Sequence, residues 1–292
     1  MSTAAVPYIL LLGFLFGSTL IASRFSVGQF HPTTYIWLRM ALASLGHAGV
    51  YLLGHRQWPA DPQLWRRAAL LGVLGTAIPM TSIVTSLQYQ SAGLTSILLT
   101  AGPAVTVVMA HFFLPDEPLS GRKSAGVILA LGGGVLLALR GESGLPDVTR
   151  ASPVGYGLVL LAILTSSGMT IYARKYMQSY NAFDVASVRM LAATLTVAPL
   201  SLVWVGFDLS RVTGVGYFAL GYAALVGTFL GMLVAFYNIK RFGATAAAMA
   251  LYIIPAVAGI GGVLVLGETI TLWMLAGLAL IAGGIWLINR TG

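Results

Sequence analysis

The chain has 292 residues, of which 58% are apolar and only 8% charged, and its mean hydropathy is +0.88. Soluble domains carry about a quarter charged residues, so this composition excludes one and marks an integral membrane protein. The formal charge of +8 would suggest nucleic acid in a soluble chain; here the basic residues stand in short loops between apolar runs, where they report orientation, and no nucleic-acid partner is expected.

The apolar runs extend over roughly 17 to 25 residues without period-2 alternation, the pattern of membrane helices and not of barrel strands. Met1 to Val6 carry no Lys or Arg, so a cleaved leader is not expected. In chain order the windows are about 7–23, 34–53, 68–87, 92–114, 124–139, 153–173, 185–206, 214–238, 243–266 and 270–289. The first holds Phe14 and Ser18, the second Arg39 and His47, the third Pro79 and Met80, and the fourth Thr100, Pro103 and His111. The fifth is glycine-rich. After it comes the longest polar connection, Gly141 to Ser152. The sixth window holds Ser167, the seventh Arg189, the eighth Gly231 and Tyr237, and the ninth Tyr252 and Pro255. The tenth is again glycine-rich.

The two halves repeat one another. Ala125, Gly126, Leu129, Gly132, Gly133 and Leu136 recur as Ala276, Gly277, Leu280, Gly283, Gly284 and Leu287, a shift of 151. At nearly the same shift Glu117 matches Glu268, Arg39 and Met40 match Arg189 and Met190, Gly75 and Thr76 match Gly227 and Thr228, and Pro103 falls beside Pro255. Five spans per unit is odd, so the second unit must enter the bilayer upside down, as in many secondary transporters. The expected fold is an all-α integral membrane protein. Its ten transmembrane helices form two inverted five-helix repeats, residues 1–140 and 153–292, joined by an extracytoplasmic linker at 141–152. With a cytoplasmic N-terminus, ten loop and tail Lys or Arg lie inside and four outside, so both termini are expected in the cytoplasm.

Charge in the hydrocarbon core is costly, by roughly 2.5 to 3.5 kcal/mol per residue on insertion scales. Arg39 and Arg189, at matching places in the repeat, are therefore candidate partners for a substrate carboxylate; because both sit near span ends, the alternative is that each reaches the interface or caps neighbouring carbonyls. His47 and His111 are candidate proton carriers, or histidines bonded to a neighbouring helix. All eight acidic residues fall in loops or at span ends, which argues for facilitated or exchange transport over proton or sodium coupling. The three lysines are also expected in loops. No cysteine is present, which removes disulfides, thiolate metal sites and thiol nucleophiles; no metal or cofactor is implied.

A mid-span proline removes a backbone donor and opens the helix. Pro103 and Pro255 are paired across the repeat, and Pro79 has Gly231 as its counterpart. Matched interruptions point to a transporter's central site, so spans three, four, eight and nine should flank the path. Ser18, Thr100 and Ser167 would offer hydroxyls, and Phe14, Met80, Tyr237 and Tyr252 an adaptable apolar lining. The glycine-rich spans five and ten read as scaffold.

Ten spans in two repeats, Phe16-Gly17-Ser18 in the first, a proline in spans four and nine, and the turns Asp116-Glu117 and Gly267-Glu268 before the glycine-rich spans resemble the drug/metabolite transporter superfamily. The resemblance is to its bacterial amino-acid and metabolite exporter branch, and within that to exporters of aromatic and neutral amino acids. It covers nearly the whole chain. It implies a multi-pass bacterial inner-membrane carrier, monomeric, with a neutral or zwitterionic amino acid as substrate. A multidrug exporter of the same superfamily and an intramembrane enzyme are the rival readings. The first lacks a buried carboxylate for a cation, and the second lacks a carboxylate beside either histidine.

Overall fold

The computed structural model describes residues 3–148, 150–242 and 249–289, and its described elements are all helical. The spanning helices are α1 (Val6–Ser26), α2 (Pro32–Leu53), α3 (Pro62–Ser86), α4 (Ala92–Phe113), α5 (Gly121–Arg140), α6 (Pro153–Tyr176) and α7 (Ala182–Gly206). Then follow α8, built from Gly214–Gly221, Tyr222–Leu230 and Gly231–Phe242, α9 (Ala250–Leu266) and α10 (Leu272–Asn289). Among the described residues nine helices are long and apolar enough to cross a bilayer, and α9 is a shorter apolar helix of 17 residues. The expected start of the ninth window, 243–248, lies outside the described residues.

Local chemistry sets the helix ends. Ser91, Ser120, Ser152 and Thr213 each accept a backbone N–H of the helix that follows, and proline occupies the first turn of α1, α2, α3 and α6. Gly141 and Gly267 close α5 and α9 with φ of +67°, a conformation that favours glycine. Lys123 and Lys175 stand in the terminal turns of α5 and α6, and Lys240 in the last helical stretch of α8, so the lysines lie at helix ends and not in loops. A long apolar stem lets Lys123 and Lys175 occupy terminal turns while the ammonium reaches the interface.

The α5 and α10 helices meet by backbone contact. A Cβ on Gly126 would lie 2.6 Å from the Gly284 carbonyl oxygen, and one on Gly133 would lie 2.8 Å from that of Gly277. Glycine thus lets the two helices touch along their backbones, the usual basis of close packing in lipid. Because Gly126 matches Gly277 and Gly133 matches Gly284 in sequence, the crossing is reciprocal and the two helices run antiparallel. On α1, Gly13 and Gly17 receive Ile253 and Val257 of α9 in the same way.

The interruptions differ from the expectation. Pro103 breaks α4 as predicted: helix stops at Leu99 and resumes at Gly102, because the proline ring collides with the carbonyl four residues back, that of Leu99. Pro255 leaves α9 helical throughout. It lies in the second turn, where only the Leu251 carbonyl loses its helix partner. In α3 and α8 the backbone widens to π-helix, over Val73–Ala77 and Tyr222–Leu230, immediately before Pro79 and Gly231. Such bulges cluster at functional sites.

Candidate functional site

A cavity of about 230 Å³ lies among α1, α2, α3, α4 and α9. Thr19, Ser23, Ser96 and Thr100 give it hydroxyls, Arg39 its one charge, and Phe16, Met80, Ile83, Leu99, Leu251 and Ile254 much of its apolar wall. The break before Pro103 ends the α4 segment that carries Ser96 and Thr100. Both hydroxyls bond back to their own helix, Ser96 to the Gly93 carbonyl and Thr100 to that of Ser96.

Arg39 is 7% exposed and wholly surrounded by helices. Its Nε donates to the Thr228 hydroxyl at 2.8 Å and its Nη1 to Ser23 at 3.2 Å. Thr228 sits in the π-helical stretch of α8, and its hydroxyl donates a hydrogen bond to the Ala223 carbonyl. The sequence counterpart behaves in kind: Arg189 of α7 donates to Thr76 in the π-helical stretch of α3, and to the Gly75 carbonyl at 2.6 Å. Pro79 has no N–H for the carbonyl four residues back, which is that of Gly75, and the arginine of the other half takes it. At the equivalent place in α8 Gly231 keeps its N–H, and Arg39 turns to a serine of α1 instead.

Of the residues singled out in the sequence, Arg39, Met80 and Thr100 line this cavity. Gly231 stands behind it: a Cβ there would lie 2.8 Å from Cε1 of Phe16, whose ring forms part of the wall. Ser167 meets the α4 break, bonded to the Gly102 carbonyl and to Thr106. The others are elsewhere. Phe14 and Ser18 face a separate groove of about 660 Å³ between α1, α8 and α9, where Ser18 bonds the Tyr222 hydroxyl. Pro79 and Pro255 are buried in helix packing and act through the backbone. Tyr237 is half exposed against Tyr8 and Phe242, and Tyr252 packs on the cluster of α4, α5 and α10. Arg189 serves the α3 crossing. His47 is enclosed by Ser187, Phe183 and Phe229, while exposed His111 accepts the Leu119 N–H.

Thr19 belongs to the small and polar stripe that the sequence shows on the first span, whereas Phe16, Ser23 and Ser96 were not among the sequence candidates, and Ser23 lies at the limit of the predicted first span. The available signal was the Gly75-Thr76 and Gly227-Thr228 repeat, whose threonines prove to be the arginine acceptors.

Comparison with known proteins gives a consistent picture. A transporter from Archaeoglobus fulgidus, itself uncharacterized, is 24% identical over 94% of both chains. The Escherichia coli inner membrane transporter YedA, also uncharacterized, is 25% identical over 92% of this chain and 85% of that one. A probable terminal-alkyne amino-acid exporter of Streptantibioticus cattleyicolor is 28% identical over 76% of this chain and 72% of its own. A crystal structure matches the fold with a TM-score of 0.67 at 17% identity, over 99% of this chain and 98% of the other. The model of the EamA-like transporter family matches twice, at residues 3–139 and 153–290. This multi-span membrane protein therefore belongs to the EamA-like transporter family, within the drug/metabolite transporter superfamily.

Proposed function

We propose that the chain is a secondary carrier that exports small neutral or zwitterionic amino acids, aromatic ones favoured, across the bacterial inner membrane. It works as a monomer by facilitated or exchange transport. In this reading residues 1–140 and 153–292 are inverted repeats about the linker 141–152, both termini are cytoplasmic, and the halves rock about the cavity. The reciprocal Arg39–Thr228 and Arg189–Thr76 bonds, the antiparallel α5–α10 crossing and the double family match support the repeat.

The observation that carries the substrate class is the cavity. It combines one guanidinium, several hydroxyls and an apolar wall, with no carboxylate among its lining residues. A guanidinium suits a substrate carboxylate, the hydroxyls its ammonium, and Phe16 and Met80 an apolar side chain. At about 230 Å³ it is below the roughly 300–1,000 Å³ of drug-sized sites. A second reading, export of lipophilic compounds, draws on the larger apolar groove of α1, α8 and α9. Transport without covalent chemistry is common to both.

Purified protein in liposomes loaded with labelled phenylalanine separates these readings. Efflux of phenylalanine, unchanged by an imposed pH gradient, is expected. Efflux of a lipophilic cation in its place would favour the second reading, and acceleration by a proton gradient would contradict facilitated movement.

A further inference from the structure

Glu268 is the most deeply buried carboxylate among the described residues, 5% exposed in the turn between α9 and α10. Both its oxygens accept the Ala92 N–H, at 2.9 and 3.1 Å, and Oε2 also accepts the Gly93 N–H at 3.4 Å. It thus caps the first turn of α4, the segment that presents Ser96 and Thr100 to the cavity. Gly262 of α9, lacking a side chain, leaves the space the carboxylate fills. Two further bonds tie the same region: Ser91 N–H to the Ser143 carbonyl and Thr269 N–H to the Gly144 carbonyl. The linker, the α3–α4 turn and the α9–α10 turn therefore close one end of the bundle together, with Glu268 at the centre.

Arg24 of α1 stands beside this cap without completing it. Its Nε is 3.6 Å from Glu268 Oε1 and, though buried, has no hydrogen-bond partner. At the opposite end of the bundle the sequence counterparts are Arg174 and Glu117. There the pair is formed: Arg174 Nη1 donates to Glu117 at 2.6 Å, with Lys123 also on the carboxylate at 3.3 Å, and Glu117 is about a third exposed. One molecule thus displays two positions of the same device, a carboxylate turned onto a helix start and a carboxylate turned onto arginine. Burial holds the Glu268 carboxyl above the ordinary glutamate range against the pull of the Ala92 and Gly93 N–H groups and Arg24.

We propose that Glu268 is the latch that keeps the linker end of the cavity shut, and that the end opens when its carboxylate leaves the α4 N-terminus for Arg24. The latch is a positioning residue for transport. The proposal rests on the alternating-access reading, in which the linker end is the extracytoplasmic one.

The chain has no cysteine, so the native protein is its own background for thiol labelling. Val84→Cys places a thiol in the buried cavity wall, and a membrane-impermeant reagent is applied to intact cells. Glu268→Ala removes both acceptors and is expected to raise the labelling rate at least about tenfold. Glu268→Gln keeps an acceptor for the Ala92 N–H but has no charge for Arg24. It should hold labelling at or below the parent rate while slowing flux, and Arg24→Gln should do the same. If Glu268→Ala fails to accumulate in the membrane, the two glutamine variants carry the test, and labelling above the parent in either overturns the latch. Parent-rate labelling in Glu268→Ala, with the protein intact, overturns it also. A thiol at position 84 that stays unlabelled in every background, both in intact cells and in inside-out vesicles, would instead overturn the carrier reading on which the latch depends.

Discussion

Arg39, in the first half of the chain, donates its Nε proton to the hydroxyl of Thr228 in the second, 189 residues later, at 2.8 Å. A guanidinium enclosed by helices needs acceptors for its fork, and each acceptor removed leaves a buried donor unpaid at about 1–3 kcal/mol. Thr228→Val should therefore lower the melting temperature in detergent by several degrees. Thr76→Val should do less harm, because the bond Arg189 retains, to the Gly75 carbonyl freed by Pro79 at 2.6 Å, is shorter than the 3.2 Å bond to Ser23 that Arg39 retains. Equal destabilisation by the two valines would show that the proline-freed carbonyl does not hold Arg189.

Gly231 makes room for a wall of the cavity. A side chain there meets the Phe16 ring, and overpacking of this kind costs about 1–3 kcal/mol. Gly231→Leu is expected to drive Phe16 into the cavity and cut amino-acid flux by about tenfold or more, since 1.4 kcal/mol is a factor of ten. The double variant Gly231→Leu with Phe16→Ala should regain much of the flux. Absence of rescue would mean that the glycine serves some other contact.

The α5–α10 crossing predicts a different phenotype. Gly126→Val puts a branched side chain against the Gly284 carbonyl, where backbone and not a movable side chain stands in the way. Loss of folded protein is expected, visible as aggregation on size exclusion, with no separate effect on transport by the fraction that folds. Normal yield with abolished flux would place this crossing on the path.

Acidification should act on the two turn glutamates in opposite senses. Burial raises the Glu268 pKa, so its contribution to stability is fully present below the unfolded carboxylate value of about 4.3 and is lost as pH rises through its folded value. Among the described residues Arg24 of α1 is the charged group paired with it, and Glu142 of the linker is turned to Thr271. Hydrogen bonding from Arg174, with Lys123, lowers the Glu117 pKa, so its contribution is present above the unfolded value and is lost as pH falls through its folded value. Thermal scans should show Glu268→Gln at or above the parent near neutrality, with the difference shrinking as pH falls. Glu117→Gln should lie below the parent at neutrality and converge with it only in strong acid. The reverse order would contradict the assigned burial of Glu268.

What could be read from sequence divides along physical lines. The all-helical class and the close α5–α10 packing were legible because hydropathy and glycine spacing are properties of continuous segments; the ninth window, expected as a full span, is a shorter apolar helix of 17 residues among the described ones. The break at Pro103 was legible because a proline collides with its own chain. Which face of a helix looks inward was not. Phe14 and Phe16 differ by two positions in one apolar run, and packing against α8 and α9 alone decides that Phe16 meets the cavity and Phe14 the groove. Pro255 leaves α9 helical because it stands in the second turn, where little helix precedes its ring. Glu268 looked like a loop residue; only the fold brings the start of α4 to it.

The account stands or falls on one chamber served from both faces of the membrane. Met80→Cys lines that chamber, and in the cysteine-free chain its labelling can be followed in intact cells and in inside-out vesicles. Labelling from both sides, slowed on each by saturating phenylalanine, is the predicted result. Labelling from one side alone, or from both at rates indifferent to any amino acid, would contradict it.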